Sequence, residues 1–106
     1  MTTIRFKLDH DQLNILIDVM GIAQRDQVRG EVLSMVWSII EQLDVRLRRR
    51  VAERRLEYQL ILPVYQALAL RRIAIAGQEF VMDERKVNEL RLVLFKLDPL
   101  LTRYTT

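Results

Sequence analysis

The sequence predicts a mainly α-helical protein: an irregular bundle of about four helices in a single domain over residues 1–106, with one or two short β-strands near residues 4–8 and 79–82. Apolar residues recur at helical spacing along most of the chain, which indicates amphipathic helices. Half of the 106 residues are hydrophobic, so a single core is feasible at this length. An aspartate precedes three of the helical patterns, where its carboxylate can cap the first turn.

The N-terminal segment predicts a short strand followed by a helix. Residues 4–8 alternate apolar and charged side chains, the period of a half-buried strand. Asp9 and Gln12 then have the spacing of a capping box, which predicts a helix over residues 10–23. Its apolar side chains form two stripes on opposite sides, Leu13, Leu16, Ile17 and Met20 on one and Ile15, Val19 and Ile22 on the other. Two stripes indicate burial on two flanks or self-association.

A second helix is expected to follow an N-cap at Asp26. It has the most regular apolar stripe in the chain, formed by Val32, Val36, Ile39, Leu43, Leu47 and Val51. Beyond Val51, arginine side chains rotate onto this apolar face. The helix must therefore leave the core, bend or end, and we expect a break between Glu53 and Pro63.

The third segment, residues 60–70, is apolar on nearly every side, so we expect a central helix covered by the other helices or by a second copy of the chain. Pro63 either kinks one long helix or lies in the first turn of a new one. No Ser, Thr, Asp or Asn precedes Pro63 as a cap, which favours a kinked, continuous helix. The helix is expected to run to about Arg72 or Ile75.

After the third helix, Gly77 interrupts the pattern, and residues 80–82 have a strand-like composition. Two arrangements are open, a hairpin around residues 76–78 or pairing of residues 79–82 with residues 4–8. Either would place a small two-stranded element on a helical body.

A fourth helix is predicted after Asp83, whose carboxylate can cap it. Its apolar stripe consists of Val87, Leu90, Leu94, Leu97 and Leu101. Leu92 and Phe95 project away from this stripe, which indicates apolar surface outside one simple face. Pro99 is expected to end or bend the helix, leaving residues 102–106 as a frayed tail.

Composition excludes several classes of protein. There is no cysteine, so disulfides and thiolate chemistry are absent. The longest apolar run, residues 60–70, is shorter than the roughly 20 residues that a membrane span needs. Aspartates interrupt the first 25 residues, so no secretory signal is expected. We expect a soluble cytoplasmic protein with no membrane contact.

An arginine-rich segment, residues 46–55, is the one anomaly of composition. It has a net charge of +5, whereas the rest of the chain has −2. Its six arginines are Arg46, Arg48, Arg49, Arg50, Arg54 and Arg55. Arginine binds phosphates well, so this segment could contact nucleic acid or an acidic partner. The alternative is a solvated helix face with local ion pairs, for which Asp44–Arg48, Arg49–Glu53 and Arg54–Glu57 have suitable spacing.

The arginines point around most of the helix circumference, and no recognised nucleic-acid-binding motif surrounds them. The surplus of apolar side chains outside single stripes is therefore the more informative feature. The candidate interface residues are Ile15, Val19, Tyr65, Leu92 and Phe95. We predict a non-enzymatic structural or protein-interaction module that self-associates, with a homodimer favoured over a helical protein partner. A small nucleic-acid-binding protein is the alternative.

No catalytic, cofactor or metal site is predicted. His10 is the only histidine and lies between two aspartates at a helix start, where acidic residues are favoured for structural reasons. Ser34 and Ser38 lie within a helix, and Glu41 and Asp44 share the same helix, an arrangement that is common without a pocket. The three glycines are isolated, so there is no phosphate-binding loop.

Overall fold

The computed structural model describes residues 2–25 and 34–105. Along the chain it contains β1 (Thr3–Asp9), α1 (His10–Arg25), α2 (Ser34–Val51), β2 (Glu57–Pro63), α3 (Val64–Phe80) and α4 (Glu84–Thr105). The predicted fold class is confirmed, since these residues form a compact, mainly helical fold with one two-stranded antiparallel sheet. The expected N-cap at Asp26 and the start of the apolar stripe of the second helix lie outside the described residues.

The strand predicted at residues 4–8 is confirmed as β1, but its partner is β2 and not residues 79–82. In β2 the side chains of Tyr58, Leu60 and Leu62 are buried, and the residues between them are exposed. The prediction of a strand at residues 79–82 is wrong because α3 continues through Phe80. Ile61 is apolar although it is exposed, so residues 60–62 form a continuous apolar run and not an alternation of apolar and polar residues. Such a run resembles the sequence of a buried helix.

The register of the two strands determines which backbone groups point outward. Just beyond β2, the Val64 N–H donates to the Thr2 carbonyl (3.3 Å), so the even-numbered residues of β2 form the hydrogen-bonded pairs with β1. Odd-numbered residues alternate with them. The backbone groups of Gln59 and Ile61 therefore face away from β1, along the free edge of β2.

Helix α1 begins with the predicted capping box. The Gln12 N–H donates to Asp9 Oδ1 (2.7 Å), and the Asp9 N–H donates to Gln12 Oε1 (3.2 Å). The helix contacts β1 and all three other helices, so both of its apolar stripes pack inside the fold. Of the two alternatives open from the sequence, burial on two flanks explains the second stripe.

Helix α2 ends at Val51, where the apolar register fails, two residues before the interval in which a break was expected. The Arg54 N–H donates to the Val51 carbonyl (3.1 Å), and Arg54 itself adopts a left-handed conformation with φ of 52°. A left-handed residue after a helix is a common way to reverse the chain. Residues 52–56 thus turn the chain from α2 into β2.

Helix α3 begins after Pro63, so the expectation of one kinked helix across this proline is wrong. Pro63 has φ of −56° and ψ of 150°, an extended conformation that ends β2 and occupies the N-cap position of α3. A proline fits here because its fixed φ suits the junction and because the odd-numbered positions of β2 do not donate to β1.

Helix α3 also extends past Gly77, beyond the end expected near Arg72 or Ile75. A Cβ atom placed on Gly77 would lie 2.9 Å from Val19 Cγ1 and 3.0 Å from Leu90 Cδ1. Glycine is therefore required here for close packing of α3 against α1 and α4, and it does not terminate the helix.

Helix α4 is capped as predicted, since the Arg85 N–H donates to Asp83 Oδ1 (2.9 Å). It does not end at Pro99, however, and residues 102–105 are helical where a frayed tail was expected. Leu97 and Leu101 are fully buried on either side of the proline, so packing offsets the backbone hydrogen bond that Pro99 removes. The Thr102 hydroxyl also donates to the Asp98 carbonyl (2.9 Å).

One core lies between the inner face of the sheet and the four helices of the described residues. Its largest fully buried side chains are Leu8, Leu13, Leu16, Met20, Leu43, Leu47, Tyr58, Leu62, Leu70, Leu90, Leu97 and Leu101. The outer face of the sheet and the outer sides of α3 and α4 remain exposed.

Candidate functional site

The six arginines of the charged segment divide between a helix and a turn. Four lie in the last turns of α2, while Arg54 and Arg55 lie in the turn before β2. On α2 they diverge, since Arg48 lies beside α1 near Gly21, whereas Arg46 and Arg50 reach toward β2. The structure therefore does not bring the six arginines together on one stripe.

Arg46 and Arg50 bind the free edge of β2. Arg46 Nη1 donates to the Ile61 carbonyl, and Arg50 Nη2 donates to the Gln59 carbonyl, both at 3.2 Å. Four residues of a helix advance about 6 Å, and two residues of a strand advance about 6.6 Å, so the two arginines match the two carbonyls in spacing. Basic side chains thus occupy the backbone acceptors of an exposed strand edge.

Ion pairs occupy other arginines of the segment. Arg48 pairs with Asp44 (3.0 Å) as the sequence predicts, but Glu53 pairs with Arg50 (2.7 Å) and Arg55 (3.4 Å) and not with Arg49. The predicted Arg49–Glu53 geometry fails because α2 ends at Val51 and Glu53 is no longer helical. Likewise Glu57 pairs with Lys7 (3.8 Å) across the sheet, in place of Arg54.

Three arginine charges have no carboxylate partner among residues 2–25 and 34–105. Arg46 donates only to a backbone carbonyl, and Arg49 and Arg54 make neither an ion pair nor a side-chain hydrogen bond within these residues. Arg46 and Arg49 lie on the same flank of α2, and this flank is where an anionic ligand would meet unneutralised charge.

Two adjoining clefts, of about 430 and 380 Å³, lie between α2 and the β2–α3 junction and share Arg46 and Arg50. We call them together the arginine groove, lined by Gln42, Val45, Arg46, Arg49, Arg50, Gln66 and residues 59–62. Gln66 is 5% exposed, and within the described part of the chain its Oε1 has no hydrogen-bond partner. A buried amide without a partner is uncommon in folded proteins, and a water molecule or a ligand in the groove would supply one.

The Tyr58 side chain stabilises the turn between α2 and β2. Its fully buried hydroxyl accepts a hydrogen bond from the Arg55 N–H (2.9 Å), lies 3.3 Å from the Val51 carbonyl, and lies 2.9 Å from His10 Nδ1. The Arg50 guanidinium lies 5.8 Å from the centre of the Tyr58 ring. Sequence reasoning missed Tyr58, because its contact with His10 joins segments that are 48 residues apart in the chain.

Replacing Tyr58 by phenylalanine should lower the free energy of unfolding by about 1–3 kcal/mol, since it leaves the Arg55 N–H and the Val51 carbonyl without their partner. Urea denaturation followed by circular dichroism measures this change. Tyr65→Phe is the matched control, because Tyr65 is exposed, and we expect a change within about 0.5 kcal/mol. Equal effects of the two substitutions would contradict the assigned role of the Tyr58 hydroxyl.

Two of the five predicted interface residues are not on the surface. Ile15 is 4% exposed and Val19 is 1% exposed, and Val19 packs at the contact between α1 and Gly77. They are corrected from candidate interface to core residues. The physical reason is that β1, α2, α3 and α4 surround α1 and cover both of its apolar stripes.

The other three candidate interface residues are exposed. Phe95 is 76% exposed, Leu92 46% and Tyr65 43%. Ile75, which sequence reasoning missed, is also exposed on α3. The sequence places Ile75 at the expected end of the third helix, where apolar periodicity no longer indicates which side is exposed.

Within the described ranges, no cluster of three or more His, Asp or Glu side chains is placed to hold a metal ion. His10 lies against the Tyr58 hydroxyl, and Asp9 caps α1, so both side chains have structural partners. His10 also lines a cleft of about 570 Å³ with Asn14 and Arg54, in which no nucleophile accompanies it.

Comparison with known proteins identifies no relative: no protein-family model, no curated protein and no solved structure matches this chain. Among residues 2–25 and 34–105, none of the helices has the length and apolarity needed to cross a membrane. Function must therefore be argued from the surfaces of the fold.

Proposed function

We propose that this protein is a non-enzymatic interaction module that self-associates, as a homodimer, through the outer sides of α3 and α4. The observation that supports the proposal is the exposure of Phe95, 76%, beside Leu92 on the side of α4 opposite its core residues. Large apolar side chains grouped on a surface are typical of protein-interaction sites.

The exposed apolar residues of the two helices lie at the same height. Arg71 on α3 pairs with Asp98 on α4 (2.8 Å), and Gly77 packs beside Leu90, so α3 and α4 run antiparallel. Interpolation between these two contacts places Ile75 level with residues 92–94. Ile75, Leu92 and Phe95 are thus exposed at a similar height on neighbouring helices, and we call the proposed interface that includes them the α3–α4 face.

A second copy of the chain suits this face because its charges are self-complementary. Arg72 and Glu79 are exposed on the same side of α3, two helical turns apart, with Ile75 and Ala76 midway between them. A two-fold axis at this midpoint would place Arg72 of each copy opposite Glu79 of the other. Such symmetric pairing is the commonest form of protein oligomer.

Replacing both Leu92 and Phe95 by aspartate should dissociate the dimer, because burial of unpaired charge in the interface is unfavourable. We expect the dissociation constant to rise by about tenfold or more, measured by sedimentation velocity. The matched control replaces Val45 and Leu56, two exposed apolar residues outside α3 and α4, by aspartate. Both variants have the same net charge, and the control should keep the wild-type mass.

The contradicting result is a Leu92→Asp, Phe95→Asp variant that remains folded, by circular dichroism, and keeps the wild-type mass. Dissociation of both variants would also contradict the proposal, since general electrostatic repulsion would then explain the loss.

The second candidate function is nucleic-acid binding through Arg46, Arg48, Arg49, Arg50, Arg54 and Arg55. It is favoured by the unneutralised charges of Arg46, Arg49 and Arg54. It is less well supported than self-association because the other three arginines already pair with carboxylates of the chain. The six side chains also diverge, so they do not follow a single phosphate backbone.

A further inference from the structure

The arginine groove has a charge that its own residues do not balance. Arg46, Arg49 and Arg50 line it, and none of the described residues that line it is acidic. Arg50 pairs with Glu53, which lies in the turn outside the groove. An anionic group entering the groove would meet at least two guanidinium groups, Arg46 and Arg49, that have no carboxylate partner in the described residues.

One wall of the groove is the free edge of β2. The backbone groups of Gln59 and Ile61 point into it, and within the described residues their carbonyls accept hydrogen bonds only from the Arg46 and Arg50 side chains. The opposite edge of the sheet differs, because α4 packs against β1 and Lys96 Nζ donates to the Lys7 carbonyl (2.7 Å). Helix α2 reaches this edge through the Arg46 and Arg50 side chains, so displacement of these side chains frees the Gln59 and Ile61 carbonyls.

The third observation is the buried amide of Gln66. It lines the groove, and in the described structure its Oε1 lacks a donor. A ligand with a backbone N–H group supplies that donor. A peptide backbone is therefore one ligand that fits the Gln66 amide.

We propose that the arginine groove binds an extended acidic segment of a partner protein, which adds to β2 as a third strand. The peptide N–H groups replace the arginines at the Gln59 and Ile61 carbonyls. Arg46 and Arg50, together with Arg49, then bind the acidic side chains of the peptide. Hydrogen bonds from guanidinium to carboxylate are stronger than those to a neutral carbonyl, so the exchange favours the complex.

The spacing of the groove fits a peptide with an acidic residue at every second position. Side chains on one face of a strand repeat about every 6.6 Å, and helix positions four apart, such as Arg46 and Arg50, repeat about every 6 Å. A nucleic acid fits less well because it has no backbone to pair with a strand edge. Among the described residues that line the groove there is also no aromatic side chain on which bases could stack.

The test is fluorescence anisotropy with a fluorescein-labelled peptide, Glu-Val-Glu-Val-Glu-Val-Glu. Arg46→Gln with Arg49→Gln should weaken binding by roughly tenfold or more, since two charge-assisted contacts are lost. The control, Arg5→Gln with Arg103→Gln, removes two exposed arginines outside the groove and leaves the same net charge, and it should bind as the wild type does. If the first double variant does not fold, Arg49→Gln alone is the substitute. It breaks no contact of the described fold, so the variant should fold, and the loss of one groove charge should still weaken binding.

Two further probes separate the classes of ligand. The same peptide with N-methylated backbone amides keeps its charge but cannot pair with β2, so it should bind roughly tenfold more weakly. Amide chemical shifts of Gln59 and Ile61 should change on addition of the unmethylated peptide. Single-stranded oligothymidylate should bind more weakly than the peptide.

The proposal is overturned if the wild type does not bind the peptide, or if the two double variants lose affinity equally. It is also overturned if N-methylation has no effect, or if oligothymidylate binds more tightly with a steep salt dependence. The groove lies between α2 and β2, away from the α3–α4 face, so the solution mass of these variants shows separately whether self-association persists.

Discussion

Replacing Gly77 by leucine is expected to lower the free energy of unfolding by at least about 3 kcal/mol, since it adds four carbon atoms where α3 meets α1 and α4. The first of these atoms would already lie 2.9 Å from Val19 Cγ1 and 3.0 Å from Leu90 Cδ1. Val19 and Leu90 are themselves buried, so they cannot move aside without displacing their neighbours. Chemical denaturation at a single protein concentration measures the effect.

Gly21→Leu is the control for this substitution, because Gly21 is also a helical glycine. A Cβ atom there meets only the end of the flexible Arg48 side chain, at 3.9 Å. The better helix propensity of leucine should leave stability unchanged or raise it by up to about 1 kcal/mol. If Gly77→Leu were tolerated as well as Gly21→Leu, the close packing assigned to Gly77 would be wrong.

Replacing Leu97 by alanine should lower the free energy of unfolding by about 2–5 kcal/mol through lost apolar burial and the cavity left behind. Leu97 is fully buried on the inner side of α4, two residues before Pro99. Because packing around the proline keeps α4 helical, this substitution should also reduce the helical signal in circular dichroism. Thermal and urea unfolding measure the loss of stability.

Leu100→Ala is the matched control, since Leu100 lies on the same helix but is exposed. We expect a loss of about 1 kcal/mol or less. A similar loss at both positions would show that α4 does not pack against the core as described.

The sequence correctly predicts the elements in which a single local pattern is clear. Residues 4–8 alternate cleanly, and Asp9, Gln12 and Asp83 have capping patterns that the structure confirms. The end of α2 follows from the loss of its apolar register after Val51. In these places local sequence and long-range packing favour the same structure, so local reasoning is sufficient.

The secondary-structure predictions are wrong where packing between distant segments determines the local structure. Glycine and proline are read from sequence as helix breakers, yet Gly77 serves close packing and Pro99 lies within a helix between buried leucines. Ile61 interrupts the alternation of β2, so the sequence predicts a helix over residues 60–70, where the second half of this strand lies. Each outcome depends on neighbours that are far apart in the chain.

The residues of the candidate sites also divide into those that local sequence identifies and those that depend on tertiary packing. The sequence identifies Leu92 and Phe95 as exposed because they lie far from a clear stripe. It cannot place Ile15 and Val19, since burial of a second stripe depends on how many elements surround α1. Nor can it reveal that Arg46 and Arg50 bind the edge of β2, a contact that requires the strand to be known first.

Self-association through the α3–α4 face is the central proposal, and the mass of the wild-type protein in solution tests it most directly. Size-exclusion chromatography with light scattering should give twice the chain mass of 12.6 kDa, falling toward 12.6 kDa on dilution. A mass of 12.6 kDa at every concentration would contradict self-association and would leave the arginine groove as the remaining candidate site.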